Sequence, residues 1–145
     1  MVRAKYRYIV AQIRCNHRPE MEPLKITSEE LYSQIKTKIH KYYGDYGISC
    51  LLRLNVKYFN EKTHMCIIQA THGPHRYVTS TLPLMTVIGK EPARFRILYV
   101  GATVKQCNKF IVNFQEQYIN KMVSSFKNNM ERTKFMNEVK QVLNN

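Results

Sequence analysis

The order of strand-like and helix-like patterns along this chain constrains its fold more than any other feature of the sequence. Residues Tyr6 to Arg14 are rich in β-forming side chains and predict a first strand. Thr27 with Glu30 three positions on is a capping box, so we expect a helix to start there and to stop at Gly44. Apolar and polar residues then alternate strictly from Ile48 to Phe59, which predicts a second strand.

The second half of the chain continues the alternation. Residues 60–63 fit a hairpin connection to a return strand from His64 to Thr71. A second helix is expected from His75 to about Ile88, with a late kink or a later start at Pro83. The segment from Arg94 to Val100 predicts a fourth strand.

A third helix is expected to begin near Thr103 and to carry a long apolar stripe, which Asn128 and Asn129 interrupt before a short final helix. Strand, helix, strand, strand, helix, strand is the order of a split βαβ unit. We therefore predict an α+β fold, a ferredoxin-like α/β sandwich with a four-stranded antiparallel sheet and additional C-terminal helices. Residues 1–127 are expected to form a single domain that includes the third helix, and residues 128–145 a short helix or tail.

The charge of the chain is strongly positive, because 23 Lys and Arg residues against 10 Asp and Glu give a net charge of +13. A compact domain this basic usually meets nucleic acid, an anionic membrane or an acidic partner. No apolar run approaches the roughly 20 residues that span a bilayer, so no membrane segment is predicted. The basic start of the chain is followed by too short an apolar run for a signal peptide. These features favour nucleic-acid phosphate as the anion.

Patterns typical of catalysis and metal binding are missing from the sequence. There is no GxSxG, HExxH or P-loop motif, and no pair of carboxylates in an expected cleft. The cysteines form no CxxC pair, which favours reduced thiols over a disulfide framework. His72 and His75, with His64 and Cys66 nearby, match no standard zinc spacing. We therefore predict no catalytic residue, no metal and no cofactor.

Two basic segments are candidates for phosphate contacts. The first contains Arg3, Lys5, Arg7 and Arg14, with no acidic residue among them, and Arg3, Lys5 and Arg7 are expected to contact backbone phosphates. Tyr6 and Tyr8 are available to stack on bases or to fill the core. The second segment joins a strand to a helix start, where backbone N–H groups and the helix dipole favour an anion. Its residues are Gly101, Thr103, Lys105 and Lys109. Lys57, on the polar side of the second strand, is expected to assist, and the alternatives remain an ordinary solvated edge and an ordinary capped helix.

Two other proteins on the same scaffold are disfavoured. An RRM stacks bases on aromatic side chains of its third strand, and the segment from His64 to Ala70 has none. An acylphosphatase-like enzyme would need a glycine-bearing phosphate loop after the first strand, and Cys15 to Pro19 contains no glycine. A basic sandwich that binds RNA or DNA, without chemistry of its own, is the remaining interpretation.

Three blocks of residues narrow this interpretation. The first is the basic start of the chain, Met1 to Tyr8. The second combines Val56 to Asn60 with the Ile67-Ile68 strand and the segment from Val78 to Thr86. The third is Leu98 to Ile111. In this order and spacing the blocks resemble the Pop5/Rpp14 type of protein subunit of ribonuclease P and ribonuclease MRP.

The resemblance implies a non-catalytic, RNA-binding subunit of a ribonucleoprotein endonuclease whose RNA is catalytic. The implied reactions are removal of the 5′ leader from precursor tRNA by ribonuclease P and processing of ribosomal-RNA precursors by the MRP form. The implied partners are the catalytic RNA, a TIM-barrel protein subunit and other protein subunits, with precursor tRNA reached through the complex and no membrane. The implied location is the nucleus and nucleolus. The alternative is a protein-interaction or assembly module with no direct RNA contact.

Overall fold

The structure of the chain, a computed structural model, describes residues 5–15, 26–125 and 129–144. The elements in chain order are β1 (Tyr6–Cys15), α1 (Ser28–Cys50), β2 (Asn55–Asn60), β3 (Met65–Thr71), α2 (His75–Thr81), a 3₁₀ turn (Leu82–Leu84), β4 (Val87–Ile88), β5 (Glu91–Gly101), α3 (Val104–Ser125) and α4 (Asn129–Asn144). The chain divides into two compact units, Met1–Cys107 and Asn108–Asn145. The predicted domains, 1–127 and 128–145, remain a prediction. Within the described ranges, no helix is both long and apolar enough to cross a membrane.

The sheet has the strand order β2-β3-β1-β5-β4, and every neighbouring pair is antiparallel. β1 is central, and the connections from β1 to β2 and from β3 to β5 each carry a helix, as a split βαβ unit requires. The predicted architecture is confirmed, with five strands instead of four. The additional strand is the two-residue β4, which folds back on the start of β5 because Gly89 adopts a φ of 64° in the turn between them.

One face of the sheet packs against α1 and α2. In β1 the residues on this face, Ile9, Ala11 and Ile13, are almost completely buried. The helices contribute residues at helical spacing, among them Leu31 and Ile35 of α1. Full burial of an aliphatic side chain stabilises a fold by roughly 1.5–3 kcal/mol, so this layer supplies much of the stability of the first unit.

α1 begins where the sequence predicts and continues further than predicted. The Thr27 hydroxyl accepts a hydrogen bond from the Glu30 N–H at 3.3 Å, which is the predicted cap. Gly44, with φ 65° and ψ −159°, interrupts the helical conformation. A second helical stretch then continues to Cys50, so Gly44 makes a kink instead of a terminus.

The predicted second strand starts too early, because β2 begins only at Asn55. Leu51 and Leu54 are buried, whereas Leu52, which the alternation placed on the inner face with Leu54, is 81% exposed. Residues three apart therefore share the buried side here, as in a helix and the turn that follows it. The apparent period of two arose because a helical spacing and a strand spacing coincide over so short a stretch.

α2 is shorter than predicted. It ends at Thr81, and Pro83 lies in the 3₁₀ turn that follows, so the helix does not reach Ile88. Proline lacks an N–H and its ring clashes with the preceding turn of an α-helix, which accounts for the early end. The released residues form β4, and β5 begins at Glu91, earlier than the predicted fourth strand.

Candidate nucleic-acid interface

The start of β1 carries two of the predicted cations in the described part of the chain, and Arg3 lies outside the described residues. Lys5 is exposed, and its backbone carbonyl accepts a hydrogen bond from the His72 N–H at 2.8 Å. Arg7 is half-buried, and its Nη1 donates to the Tyr6 carbonyl at 3.0 Å. The cations at this end of the strand are thus held beside the turn between β3 and α2.

That turn adds two histidines that were not among the predicted site residues. The rings of His72 and His75 stack with their centroids 5.6 Å apart, and His75 Nδ1 accepts a hydrogen bond from the Gly73 N–H at 3.0 Å. Burial, followed by the positive charges of His72, Arg7 and Arg76, lowers the pKa of His75. Arg7 and Arg76 therefore both lie close to His75.

Gly101 ends β5 at a position with little room for a side chain. Its backbone pairs with Tyr8 of β1. A Cβ at Gly101 would lie 2.8 Å from a ring carbon of Tyr99 and 3.1 Å from Cys107 Sγ. The first distance is shorter than real Cβ contacts and the second is tight, so a side chain at residue 101 would require Tyr99 to move and would press on Cys107.

The start of α3 is capped by a reciprocal pair of hydrogen bonds. Thr103 Oγ1 accepts from the Gln106 N–H at 3.2 Å, and Gln106 Oε1 accepts from the Ala102 N–H at 3.1 Å. This arrangement is a variant of the capping box. The N–H groups of Val104 and Lys105 are left for water or an anion, because the first N–H groups of a helix have no partner within it. Lys105 is exposed next to them.

The two predicted segments meet at one end of the sheet. Because Tyr8 pairs with Gly101, the N-terminal end of β1 and the C-terminal end of β5 are adjacent. The site residues that the fold gathers there are Lys5, Arg7, Gly101, Thr103 and Lys105. Lys109 is exposed on the next turn of α3 and belongs to the unit that starts at Asn108.

Lys57 lies apart from this group. It is exposed on β2, and the register shift between Val56 and Tyr58 makes it the unpaired residue of a β-bulge. β3 and β1 separate β2 from β5, so three interstrand steps of about 4.8 Å place Lys57 about 14 Å from the β5 edge of the group. A ligand that contacts Lys57 and Lys105 together must therefore extend across the sheet.

Two of the cysteine thiols, those of Cys66 and Cys107, are buried in the fold. All four cysteines carry free thiols. Burial raises the pKa of Cys66 to about 12, and burial also raises the pKa of Cys107, so both thiols are protonated at neutral pH. Among the described residues, no group of three or more His, Cys, Asp or Glu side chains is placed to hold a metal ion. The interface offers cations and backbone donors, which suit phosphate binding.

Comparison with known proteins adds to this geometry. A sequence profile described as the Rpp14/Pop5 family matches residues 7–112, which include β1, the sheet and the capped start of α3. The chain belongs to the Rpp14/Pop5 family. Among its relatives is the ribonuclease P/MRP protein subunit POP5 of Danio rerio, which is 27% identical over 139 residues that cover 91% of this chain and 81% of the relative.

Two other Rpp14/Pop5 relatives extend the comparison to a mammal and a plant. The ribonuclease P/MRP protein subunit POP5 of Homo sapiens is 26% identical, with 82% of this chain and 75% of the relative covered. The probable ribonuclease P/MRP protein subunit POP5 of Arabidopsis thaliana is 28% identical over 112 residues, with 74% of each chain covered. The family resemblance inferred from the three sequence blocks is thus confirmed.

The fold of this Rpp14/Pop5 chain is shared with a solved structure. A chain of the cryo-EM structure of yeast ribonuclease MRP superposes with a TM-score of 0.53, covering 83% of this chain and 98% of that chain. The two sequences are 11% identical, so the similarity is one of fold.

Proposed function

We propose that this chain is a non-catalytic, RNA-binding protein subunit of ribonuclease P and of ribonuclease MRP. In this role it supports the catalytic RNA in removing the 5′ leader from precursor tRNA and in processing ribosomal-RNA precursors. Its partners are the catalytic RNA, a TIM-barrel protein subunit and other protein subunits. Precursor tRNA is reached through the complex, and the complex works in the nucleus and nucleolus.

One observation carries the proposal beyond family membership. Cations from two distant parts of the chain, Lys5 and Arg7 on one side and Lys105 on the other, lie at the same end of the sheet around Gly101. The charge of the chain is +13, so a polyanion is attracted to it at long range. Phosphate is the ligand that exposed cations and free helix N–H groups bind together. We propose that Arg3, Lys57 and Lys109 also contact RNA phosphates.

Affinity purification of the tagged chain, followed by RNA sequencing, tests the proposed function as a whole. Recovery of the ribonuclease P and MRP RNAs supports it. Recovery of proteins without either RNA contradicts it and favours the assembly module.

The proposal that the chain is not itself catalytic is tested by incubating the purified chain alone with precursor tRNA. Cleavage without the RNA subunit would contradict it.

The contribution of the α3 start is tested by changing Lys105 and Lys109 to Ala. We expect weaker binding to ribonuclease P RNA, with an unchanged or slightly higher melting temperature, because cations near a helix N-terminus oppose the dipole. The matched control is Lys36→Ala with Lys41→Ala, two exposed lysines of α1.

The salt dependence of RNA binding by the unmodified chain is a second measurement. If about five phosphates are neutralised, log affinity falls with log salt at a slope of roughly −3.5 to −4.5. A salt-independent affinity would contradict phosphate binding.

The assembly module is the second candidate, and exposed aromatic residues on α1 favour it. Tyr42, Tyr43 and Tyr46 are each at least 37% exposed. Tyr43 also packs on Tyr77 of α2, with ring centroids 4.5 Å apart. Tyrosine is enriched at the centres of protein interfaces, so this surface fits a protein partner. Loss of protein partners with retention of RNA on changing Tyr42 and Tyr46 to Ser would separate the two functions.

A further inference from the structure

Three arginines meet on the sheet face opposite to α1 and α2. Arg14 of β1 and Arg94 of β5 are direct cross-strand partners, and Arg96, two residues along β5, is paired with Gln12. Their neighbours in sequence, Ile13 and Phe95, belong to the helix-covered core, so the arginines point to the other face. All three are exposed. We call Arg14, Arg94 and Arg96 the arginine cluster.

The spacing within the arginine cluster follows from the strand geometry. Direct cross-strand partners have their Cα atoms about 5 Å apart, and Arg94 and Arg96 are separated by about 7 Å along β5. Guanidinium groups on long stems at these separations can converge on one anion or reach two consecutive ones. The cluster lies wholly within the unit Met1–Cys107.

Among the residues that the structure describes, no carboxylate balances the positive charge of the arginine cluster. No carboxylate in residues 5–15, 26–125 or 129–144 forms an ion pair with any of the three arginines. Like charges directly opposite each other destabilise an antiparallel pair of strands. An anion bound between them would remove this repulsion, so the arrangement is better suited to a complex than to the free chain.

We propose that the arginine cluster is a second phosphate-binding site for RNA, separate from the group around Gly101. Arginine presents a planar fork that binds a phosphate through two parallel hydrogen bonds, which the ammonium group of lysine cannot do. Three adjacent guanidiniums with no carboxylate paired to them among the described residues concentrate positive charge, which suits the closely spaced phosphates of RNA. The proposal rests on the proposed function and adds a binding surface to it.

The two sites lie at opposite ends of the β1–β5 ladder. Gly101 pairs with Tyr8 at one end, and Arg94 pairs with Arg14 at the other. Arg14 lies six positions after Tyr8 in β1, which corresponds to about 20 Å along the strand. RNA that occupies both sites at once must contact the domain over that length.

The test compares the full chain with a variant in which Arg14, Arg94 and Arg96 are changed to Gln. Binding to ribonuclease P RNA transcribed in vitro is measured over a range of salt concentrations. We expect affinity at physiological salt to fall roughly tenfold or more, and the slope of log affinity against log salt to become less steep by about 2 to 3. The matched control changes the exposed Lys36, Lys41 and Lys90 to Gln, which removes the same charge elsewhere.

A second variant, with the three arginines changed to Lys, keeps the positive charge but cannot donate two parallel hydrogen bonds to one phosphate. We expect it to retain most of the salt dependence and to bind with intermediate affinity. Equal weakening in the lysine control would mean that only net charge matters, and that result would overturn the proposal. A lysine-for-arginine variant as weak as the glutamine variant would mean that binding depends on the paired hydrogen bonds of arginine, which supports the proposal.

The remaining outcomes separate this site from the proposed function. If the unmodified chain binds the RNA and the glutamine variant binds it equally well, the second site is wrong and the proposed function stands. If the unmodified chain does not bind the RNA, both fail. If the glutamine variant loses only its affinity for polyglutamate, the cluster is a surface for acidic proteins and the proposal is overturned.

Discussion

The start of α3 and the arginine cluster are both positively charged, but they are built differently. At the start of α3 the backbone and side chains satisfy one another, through the bonds of Thr103 and Gln106 and the close approach at Gly101. In the arginine cluster, Arg14 and Arg94 face each other without a counter-charge among the described residues. One region has its conformation fixed by packing and capping, and the other has only its position fixed, by the register of two strands.

Because of this difference, substitutions in the two regions should affect the stability of the fold and the binding of RNA differently. A substitution at the α3 start that disturbs packing or capping changes the free energy of unfolding and the binding surface together. A substitution in the arginine cluster removes no buried contact, so it should change binding while leaving stability equal or higher. The predictions below test this contrast, in order of decreasing effect.

The largest effect is expected from Gly101→Val. The new side chain would collide with Tyr99 and Cys107, which lie 2.8 and 3.1 Å from the position of a Cβ. Overpacking of this kind costs about 1–3 kcal/mol, because neighbouring groups must move. Urea denaturation followed by circular dichroism measures the loss, and Gly101→Ala should lose less.

The control for Gly101→Val is Ala102→Ser, at the exposed neighbouring position. It should unfold at the same urea concentration as the unmodified chain, within error. A valine variant as stable as the unmodified chain would show that β5 and α3 do not approach as closely as the structure indicates. The start of α3 would then not be fixed by packing, and it would not differ from the arginine cluster in that respect.

The two regions also differ in how far the sequence could predict them. The α3 start is local: a strand, a small residue, a hydroxyl cap and a helix follow one another within ten residues, so the pattern predicts the junction. The arginine cluster depends on pairing Arg14 with Arg94, residues 80 positions apart. A bulge between Val10 and Ala11 also shifts the register of that ladder, and a one-residue shift would move the arginines to the other face.

The distinction between local patterns and pairing of distant residues also explains the errors in the predicted fold. The order of the elements followed from local patterns and is correct. The strand predicted from Ile48 was wrong in its first residues, because the positions of Leu52 and Leu54 suit a strand as well as a helix followed by a turn. Tertiary packing decides between the two. β4 could not be predicted from a two-residue run, since its strand conformation depends on the pairing of Val87 and Ile88 with β5.

A smaller effect is expected from Thr103→Ala. Loss of the hydroxyl removes the acceptor of the Gln106 N–H, and loss of an N-cap costs about 1 kcal/mol. Opening of the first turn should also expose the Cys107 thiol, which is buried in the folded chain. Pulsed alkylation with mass spectrometry should therefore show faster labelling of Cys107 in the variant.

Thr103→Ser is the matched control for this change, because serine keeps the acceptor oxygen. Its stability and its alkylation rate at Cys107 should stay close to those of the unmodified chain. Equal labelling of Cys107 in the alanine and serine variants would indicate that the hydroxyl does not hold the helix start. The α3 start would then resemble the arginine cluster, with charge but no internal support.

The smallest effect is expected from Arg94→Glu, and it has the opposite sign. The new carboxylate would lie directly opposite Arg14, which replaces repulsion with attraction and should raise the free energy of unfolding by about 0.2–1 kcal/mol. Arg94→Gln, which removes the repulsion without adding attraction, should give a smaller gain. Urea denaturation of both variants at low salt measures the two gains.

The gain of the glutamate variant should shrink in high salt, because both groups of the pair are exposed. RNA affinity should fall in both variants, and more in the glutamate variant. A glutamate variant that is less stable than the glutamine variant at low salt would show that Arg14 and Arg94 do not repel each other in the free chain. In that case the arginine cluster would already be balanced without RNA, and the contrast between a region fixed by packing and a region left for a ligand would not hold.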